Sequence, residues 1–528
     1  MVKSYLSLWV LIFKMLFNTP EYFLLFLPVS IIVYFFFSKR RYFAASKLWL
    51  LLCSLFFYCY WKFDYIWILL GSIVFNFVVG SILSKEANGR QNALENSQNT
   101  QLNVTKRKVI LVFGVLANVA MLGYYKYTDF IISDLNLLFG TSYELVHIVL
   151  PLAISFFTFQ QIAYLVDSYK GLTKEYDFVS YAVFVSFFPQ LIAGPIVHHK
   201  ELIPQFFKAR KLVLNYKNLC LGLFIFTIGL VKKAIIADKF AIWVGDGFDS
   251  ANNLTLLTSW LVSFCYTFQL YFDFSGYCDM AVGSALFFNI RLPINFNSPY
   301  KALSIQDFWR RWHITLSTFL RDYLYFPLGG SRKGSFRTYL NLFIVFFITG
   351  IWHGAGNTFV LWGLLHGVGI IAHRVFHNLG FALPKIPAWI LTFIFVDIAW
   401  VLFRAPDLNV AYTIYIHMFD ISSLSLEQLS NFKTALKGIG LNYQTVTYVV
   451  LALIVVLSFK NSNELLAKVS TKNSVKLPSF KQIHNHNLQK LLVKTTGYFA
   501  CVLVALILFY VTLAVIGSTY TEFIYFNF

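Results

Sequence analysis

Tyr339-Leu340-Asn341-Leu342-Phe343-Ile344-Val345-Phe346-Phe347-Ile348-Thr349-Gly350-Ile351 runs without a charge into Trp352-His353-Gly354-Ala355-Gly356. A run of this kind, entered from Arg332, Lys333 and Arg337, reads as a membrane helix that starts at a basic surface. At 1.5 Å per residue, His353 then lies ~24 Å along the helix from Arg337, beyond the midplane of a ~30 Å hydrocarbon core. An ionisable side chain at that depth is costly, which makes it a functional candidate by default. An imidazole near its ordinary pKa is suited to take a proton from a hydroxyl nucleophile. The structural alternative is a histidine hydrogen-bonded to a neighbouring helix; the small residues Gly354, Ala355 and Gly356 leave room for a ligand beside it.

The rest of the chain agrees with a membrane class. Of 528 residues, 58% are hydrophobic and 19% aromatic with only 13% charged, too apolar for a soluble protein. The net charge of +19 is what cytoplasmic loops contribute under the positive-inside bias. No basic patch interleaved with aromatics stands in a soluble segment, so nucleic-acid binding is not expected. Cys53, Cys59, Cys220, Cys265, Cys278 and Cys501 form no Cys-x-x-Cys pair and suggest neither a metal site nor a disulfide scaffold.

Apolar runs recur from Glu21 to Ile516 and give roughly 10 to 13 membrane segments, several too short to cross alone and therefore broken or re-entrant. Leu145 to Val166 is among the runs long enough or nearly long enough to span. The interrupted stretch Phe178 to Val197, with Pro189, Gly194 and Pro195, suits a re-entrant hairpin. The expectation is an all-α polytopic membrane protein, a single domain over residues 1–528. Its cytoplasmic loops are 84–108 and 459–495, the latter holding seven lysines against Glu464 between Lys460 and Lys494, and 517–528 form an extracytoplasmic tail.

Chemistry concentrates between Phe272 and Gly367. Ser304 begins a helix with capping spacing to Asp307, followed by Arg310, Arg311, Trp312 and His313 and then by the turn Gly329-Gly330-Ser331-Arg332-Lys333-Gly334. Arg310, Arg311, Arg332 and Lys333 suit the phosphates of a nucleotide-bearing donor, or else anchor the chain at the lipid interface. His313 is a second catalytic group, a substrate-orienting donor or a core histidine. Asp273 and Asp279, embedded in apolar sequence, call for cationic partners. His198, His199, His366, His373, His484 and His486 lack metal-ligand company at useful spacing and read as structural or solvent-exposed.

Taken in order, several blocks resemble the membrane-bound O-acyltransferase family. They are Leu150-Pro151-Leu152-Ala153-Ile154-Ser155-Phe156-Phe157-Thr158-Phe159-Gln160, Phe187-Phe188-Pro189-Gln190-Leu191-Ile192-Ala193-Gly194-Pro195-Ile196, Tyr271 to Met280, Phe308 to Ser317, Arg321 to Gly330 and Trp352-His353-Gly354-Ala355. The nearest branch is the bacterial one that O-acetylates alginate and peptidoglycan. The resemblance implies a ring of tilted and re-entrant helices around a central tunnel in the bacterial inner membrane. It implies cytoplasmic acetyl-CoA as donor with no bound cofactor or metal, and an exported polysaccharide or peptidoglycan as acceptor. It also implies an extracytoplasmic acetyl-transferring partner resembling the SGNH hydrolases. His353 matches the family's catalytic histidine and His313 the second histidine of this branch. The tail Phe523-Ile524-Tyr525-Phe526-Asn527-Phe528 resembles the aromatic C-terminal motif of the small peptide that serves teichoic-acid D-alanylation. Tyr525 is thereby either an acyl relay or part of an interfacial aromatic belt. A lipid or polysaccharide flippase without acyl-transfer chemistry is the alternative, though it predicts internal repeats that the sequence lacks.

Overall fold

The structure, a computed structural model, describes residues 15–92, 97–173, 176–192, 194–207, 212–423, 425, 430–470, 503–516 and 523–524, with side chains throughout except at 86–92, 97–103, 423 and 469–470. Every regular element among these residues is a helix, as a hydrocarbon solvent requires of a chain that must satisfy its own backbone groups. Among the described residues, eight helices are long and apolar enough to cross a membrane, or nine if the pair Phe432–Gly438 and Tyr443–Ser458, bent by 95°, counts as one broken span. Phe178–Leu191 and Leu503–Ile516 are shorter apolar helices. The chain is thus a polytopic membrane protein, and it divides into two compact units, Met1–Leu219 with Ser284–Pro293 and Cys220–Gly283 with Ile294–Phe528.

The first unit contains α1 (Leu27–Lys39), α2 (Phe43–Trp61), α3 (Ile66–Asn92), α4 (Ser97–Phe139) and α5 (Ile154–Tyr169), then the short α6 (Phe178–Ser186), α7 (Phe188–Leu191) and α8 (His199–Phe206). The loop expected at 84–108 is largely helical, because α3 runs on to Asn92 and α4 starts at Ser97. Lys, Arg, Gln, Glu, Ala and Leu make up 14 of the loop's 25 residues against five asparagines, and they favour helix once water replaces lipid. Leu145 to Val166 shows the opposite departure. Its helix begins only at Ile154, after Pro151 and after left-handed backbone at His147 and Ala153. The expected break in Phe178 to Val197 falls at Phe187, between α6 and α7.

Polar side chains knit this unit from within. Asn76 and Asn118 exchange amide hydrogen bonds at 3.1 and 2.7 Å, joining α3 to α4, and Ser72 donates to Gln161 of α5 at 3.1 Å. Interhelical bonds of this kind hold helices together where lipid offers no hydrophobic drive. His199 at the start of α8 is buried between the Asp167 carboxylate and the Tyr176 hydroxyl, each 3.0 Å from a ring nitrogen.

The second unit takes in most of α9 (Tyr216–Leu230), the π-helical turn Val231–Ala237, α10 (Asp238–Asp249) and most of α11 (Leu256–Phe287). After an irregular stretch come α12 (Ile305–Arg311) and α13 (Ile314–Leu320), then α14 (Gly334–His353), α15 (Asn357–Asn378), α16 (Lys385–Arg404), α17 (Leu408–Phe419), α18 (Phe432–Gly438), α19 (Tyr443–Ser458) and α20 (Ser462–Ser470). The apolar stretch Tyr339 to Ile351 lies within α14, which ends at His353. It pairs tightly with α15, because a Cβ at Gly350 would lie 2.4 Å from the Phe359 carbonyl oxygen and 3.0 Å from the Gly363 Cα. Only glycines at this crossing let the backbones approach that closely.

Candidate active site

His313 starts α13 in left-handed backbone, φ 44° and ψ 54°, a conformation uncommon for a residue with a Cβ. Asn295 holds the turn from outside. Its carbonyl oxygen accepts the Ile314 N–H at 3.0 Å, and its side-chain Oδ1 accepts the Thr315 N–H at 3.2 Å and the Thr315 hydroxyl at 2.9 Å. The same Oδ1 lies 3.2 Å from His313 Nδ1. A backbone N–H can only donate, so Oδ1 is the acceptor and the imidazole donates from Nδ1. Nε2 then carries the lone pair of the neutral ring, the tautomer that a base or an acyl-positioning acceptor needs.

His353 and His313 converge on one side chain. The indole of Trp352 has its centroid 6.4 Å from the His313 ring and 4.9 Å from the His353 ring. Both imidazoles are buried. Around His353 stand Trp362, perpendicular at 4.9 Å, and Phe403 at 5.2 Å. Phe274 and His313 meet in a T-shaped contact at 4.9 Å. Two histidines separated by forty residues of sequence thus stand against one buried aromatic cluster, where a developing charge interacts more strongly with fixed dipoles than in water.

Behind His313 the lining turns polar. A small cavity, about 10 Å³ and large enough for one water, is bounded by Asn295, Ser275, Tyr271, Lys232, Asp279 and Asn461 among others. The acids expected to need cationic partners have them. Lys232 Nζ lies 2.7 Å from Asp279, and Lys233 Nζ lies 2.6 Å from Asp273 and 2.8 Å from Asp238. The π turn Val231–Ala237 supplies both lysines from adjacent positions. Asp273 has a further partner, since its Oδ2 accepts the backbone N–H of Ile524 at 3.0 Å. The preceding ring, Phe523, is fully buried, 4.2 Å from Tyr277 and 5.6 Å from Phe274. The tail therefore seats itself against the same Phe274 that touches His313. Tyr525 lies outside the described residues, as do His484, His486 and Cys501.

The basic residues separate. Arg311 is engaged by Asp307 at 2.9 Å, an i,i+4 ion pair, while Arg310 is exposed. Ser304 caps α12 by accepting the Asp307 N–H at 3.1 Å, and the Asp307 carboxylate reaches back to the Leu303 N–H at 3.3 Å. Arg321 forms a two-point pair with Asp322 at 2.7 and 3.1 Å, which pushes the guanidinium pKa up. Arg332 and Lys333 are exposed just before α14, the opposite end of that helix from His353, ~30 Å away along its axis. No group of three or more metal-ligating side chains occurs among the described residues.

Sequence reasoning missed Asn295, Lys232, Lys233 and the aromatic wall of Trp352, Trp362 and Phe274. The adjacent lysines at the end of an apolar run were a signal, because two acids six residues apart in the next long apolar helix match them. Asn295 carried none. His366 turns out to be structural rather than exposed. It is buried in the aromatic cluster, its Nδ1 accepting the Trp309 indole N–H at 3.3 Å and its ring 4.8 Å from Trp362.

Comparison with known proteins adds the wider setting. Residues 168–414 match the model of the membrane-bound O-acyltransferase family. The chain is 44% identical to a peptidoglycan O-acetyltransferase of Helicobacter pylori over the full length of both proteins. It is 39% identical to a probable alginate O-acetylase of Pseudomonas aeruginosa over 85% of this chain and 82% of that one. A teichoic acid D-alanyltransferase of Bacillus subtilis is 29% identical over 43% of this chain and 60% of its own.

Proposed function

This chain belongs to the membrane-bound O-acyltransferase family and is an O-acyltransferase, and from that premise we propose that it transfers acetyl from cytoplasmic acetyl-CoA outward for O-acetylation of an exported polymer. The full-length relative that acts on peptidoglycan favours peptidoglycan over an alginate-like polysaccharide as acceptor. The observation that carries the reading is the convergence of His313 and His353 on Trp352 within a buried aromatic cluster.

In the proposed reaction His353 takes the proton of an attacking hydroxyl. The hydroxyl oxygen bonds to the thioester carbonyl carbon, the C–S bond breaks, and CoA leaves as the thiol with the proton returned by the imidazolium. His313, its Nδ1 proton committed to Asn295, contributes through Nε2 by orienting the hydroxyl or stabilising its proton. Arg310, Arg332 and Lys333 receive the phosphates of CoA at the basic end, leaving the acetyl to reach inward; Arg311 joins them only if it leaves Asp307. No bound cofactor or metal enters the scheme.

Tyr525 is the proposed first acceptor. The anchoring of Phe523 and Ile524 beside Phe274 supports it, since Tyr525 is the next residue of the chain and a tethered acceptor has a high effective concentration. The acetyl-tyrosine then passes its group to an extracytoplasmic partner of the SGNH-hydrolase kind. On the same reading the protein sits in the bacterial inner membrane with basic loops inside and the C-terminal tail outside. Free CoA released from acetyl-CoA by the purified protein tests the chemistry, and an acetylated C-terminal peptide in mass spectrometry tests the relay.

A further inference from the structure

The second unit has a cavity that the proposed reaction does not use. A groove of about 580 Å³ runs between α15 and α16 and is closed at one side by Leu303, Ser304 and Ile305. That volume is within the range of small-ligand sites, ~300–1,000 Å³. Its walls are chemically graded. Val368, Phe376, Ala388, Leu391 and Phe395 make its length apolar, whereas His373, His377 and Lys385 stand toward one end. None of its lining residues is acidic.

Both walls belong to helices long and apolar enough to cross a membrane, Asn357–Asn378 and Lys385–Arg404. Val368 and Leu391 remain 55% and 62% exposed, so the groove opens sideways to lipid and not to water. From Lys385 to Phe395 is ten residues of helix, ~15 Å, half of a ~30 Å hydrocarbon core. The groove is therefore as deep as one leaflet, with Lys385, the one Lys or Arg of its lining, where headgroup phosphates lie. Under the orientation proposed above, with Arg332, Lys333 and Arg337 inside, α15 returns to the cytoplasmic face and that leaflet is the inner one, the face to which basic side chains attract anionic lipid.

We propose that this groove holds one acyl chain of an anionic phospholipid of the cytoplasmic leaflet, with the headgroup phosphate met by Lys385, His377 and His373. The inner end of the site touches the aromatic cluster that supports the reaction. Phe395 lies 5.6 Å from His366, which packs on Trp362, which in turn packs on His353. An occupied groove supports Phe395 from the lipid side and so steadies that cluster.

The test is lipid retention in native mass spectrometry, after reconstitution in nanodiscs of phosphatidylcholine mixed with phosphatidylglycerol. Wild type is expected to keep one phosphatidylglycerol in preference to phosphatidylcholine. Lys385→Glu should reduce that preference about fivefold or more, the factor one basic side chain contributes at a membrane surface. Ala388→Trp, which fills the groove, should abolish retention without changing the melting temperature. Leu391→Trp, at a more exposed position, repeats the test should Ala388→Trp not fold. Equal retention of both lipids by wild type would overturn the proposal. So would unchanged retention in the folded tryptophan variant, displacement of the lipid by acetyl-CoA, or a lipid-free dimer that the tryptophan breaks. Retention is read without turnover, so its failure leaves the acetyl-transfer reading standing, and loss of thioester cleavage leaves the lipid site standing.

Discussion

Asn295 decides what His313 can do, because an imidazole that gives its Nδ1 proton to Oδ1 of Asn295 at 3.2 Å acts through Nε2 alone. Asn295→Ala should therefore lower kcat for CoA release while leaving the KM for acetyl-CoA near wild type, and His313→Asn should keep part of the activity if the role is orientation. Steady-state kinetics check both; an Asn295→Ala enzyme with unchanged kcat would remove the tautomer from the account. His353→Ala removes the proposed base and should cost ~10²–10⁴-fold in rate. Both histidines were legible in the sequence from residue type and position. Their supports were not. Asn295 is a polar residue in an irregular stretch, and only the folded turn brings it under His313. Asp167 meets His199 from 32 residues away, a spacing that belongs to no local pattern.

At the scale of elements, the contact between α14 and α15 sets where His353 stands. Gly350→Leu would drive a side chain into the Phe359 carbonyl and the Gly363 backbone. Overpacking of this kind costs ~1–3 kcal/mol, so the expected outcome is a lower melting temperature together with lost CoA release. The paired lysines carry a second prediction. Lys233→Ala leaves Asp273 and Asp238 without their shared cation, and stranding a buried charge costs ~3–5 kcal/mol. Since Asp273 also receives the Ile524 N–H, this variant should free the C-terminal tail to proteolysis before the rest of the chain. Uniform cleavage would show that the tail does not depend on the pair. The span α14 was readable because a long, predominantly apolar run without a charge from Thr338 to Trp352 needs no periodicity to be recognised. The helical continuation through 84–92 and 97–108 was hidden, since polar composition marks exit from lipid and does not say whether the helix stops there. The late start of α5 at Ile154 was hidden as well, because hydropathy is blind to the backbone turns at His147 and Ala153.

For the molecule as a whole, the sequence showed the class and the family resemblance plainly, since an apolar, aromatic composition and ordered motif blocks survive without any knowledge of contacts. What it did not show is that the C-terminal residues return to Phe274 and Asp273, a long-range docking that no composition encodes. Tyr525→Phe should abolish polymer acetylation while membrane insertion and the Phe523 anchor are kept, and glycan analysis of the substituted strain checks it. Full polymer acetylation would leave direct transfer from acetyl-CoA to an external acceptor. Acyl transfer from CoA at the His353 site is measured as CoA thiol released from acetyl-CoA by purified wild type and by His353→Ala of equal melting temperature. Wild type should release CoA and the variant should release it at least ~10²-fold more slowly; a folded His353→Ala protein that releases CoA at the wild-type rate would overturn the assignment.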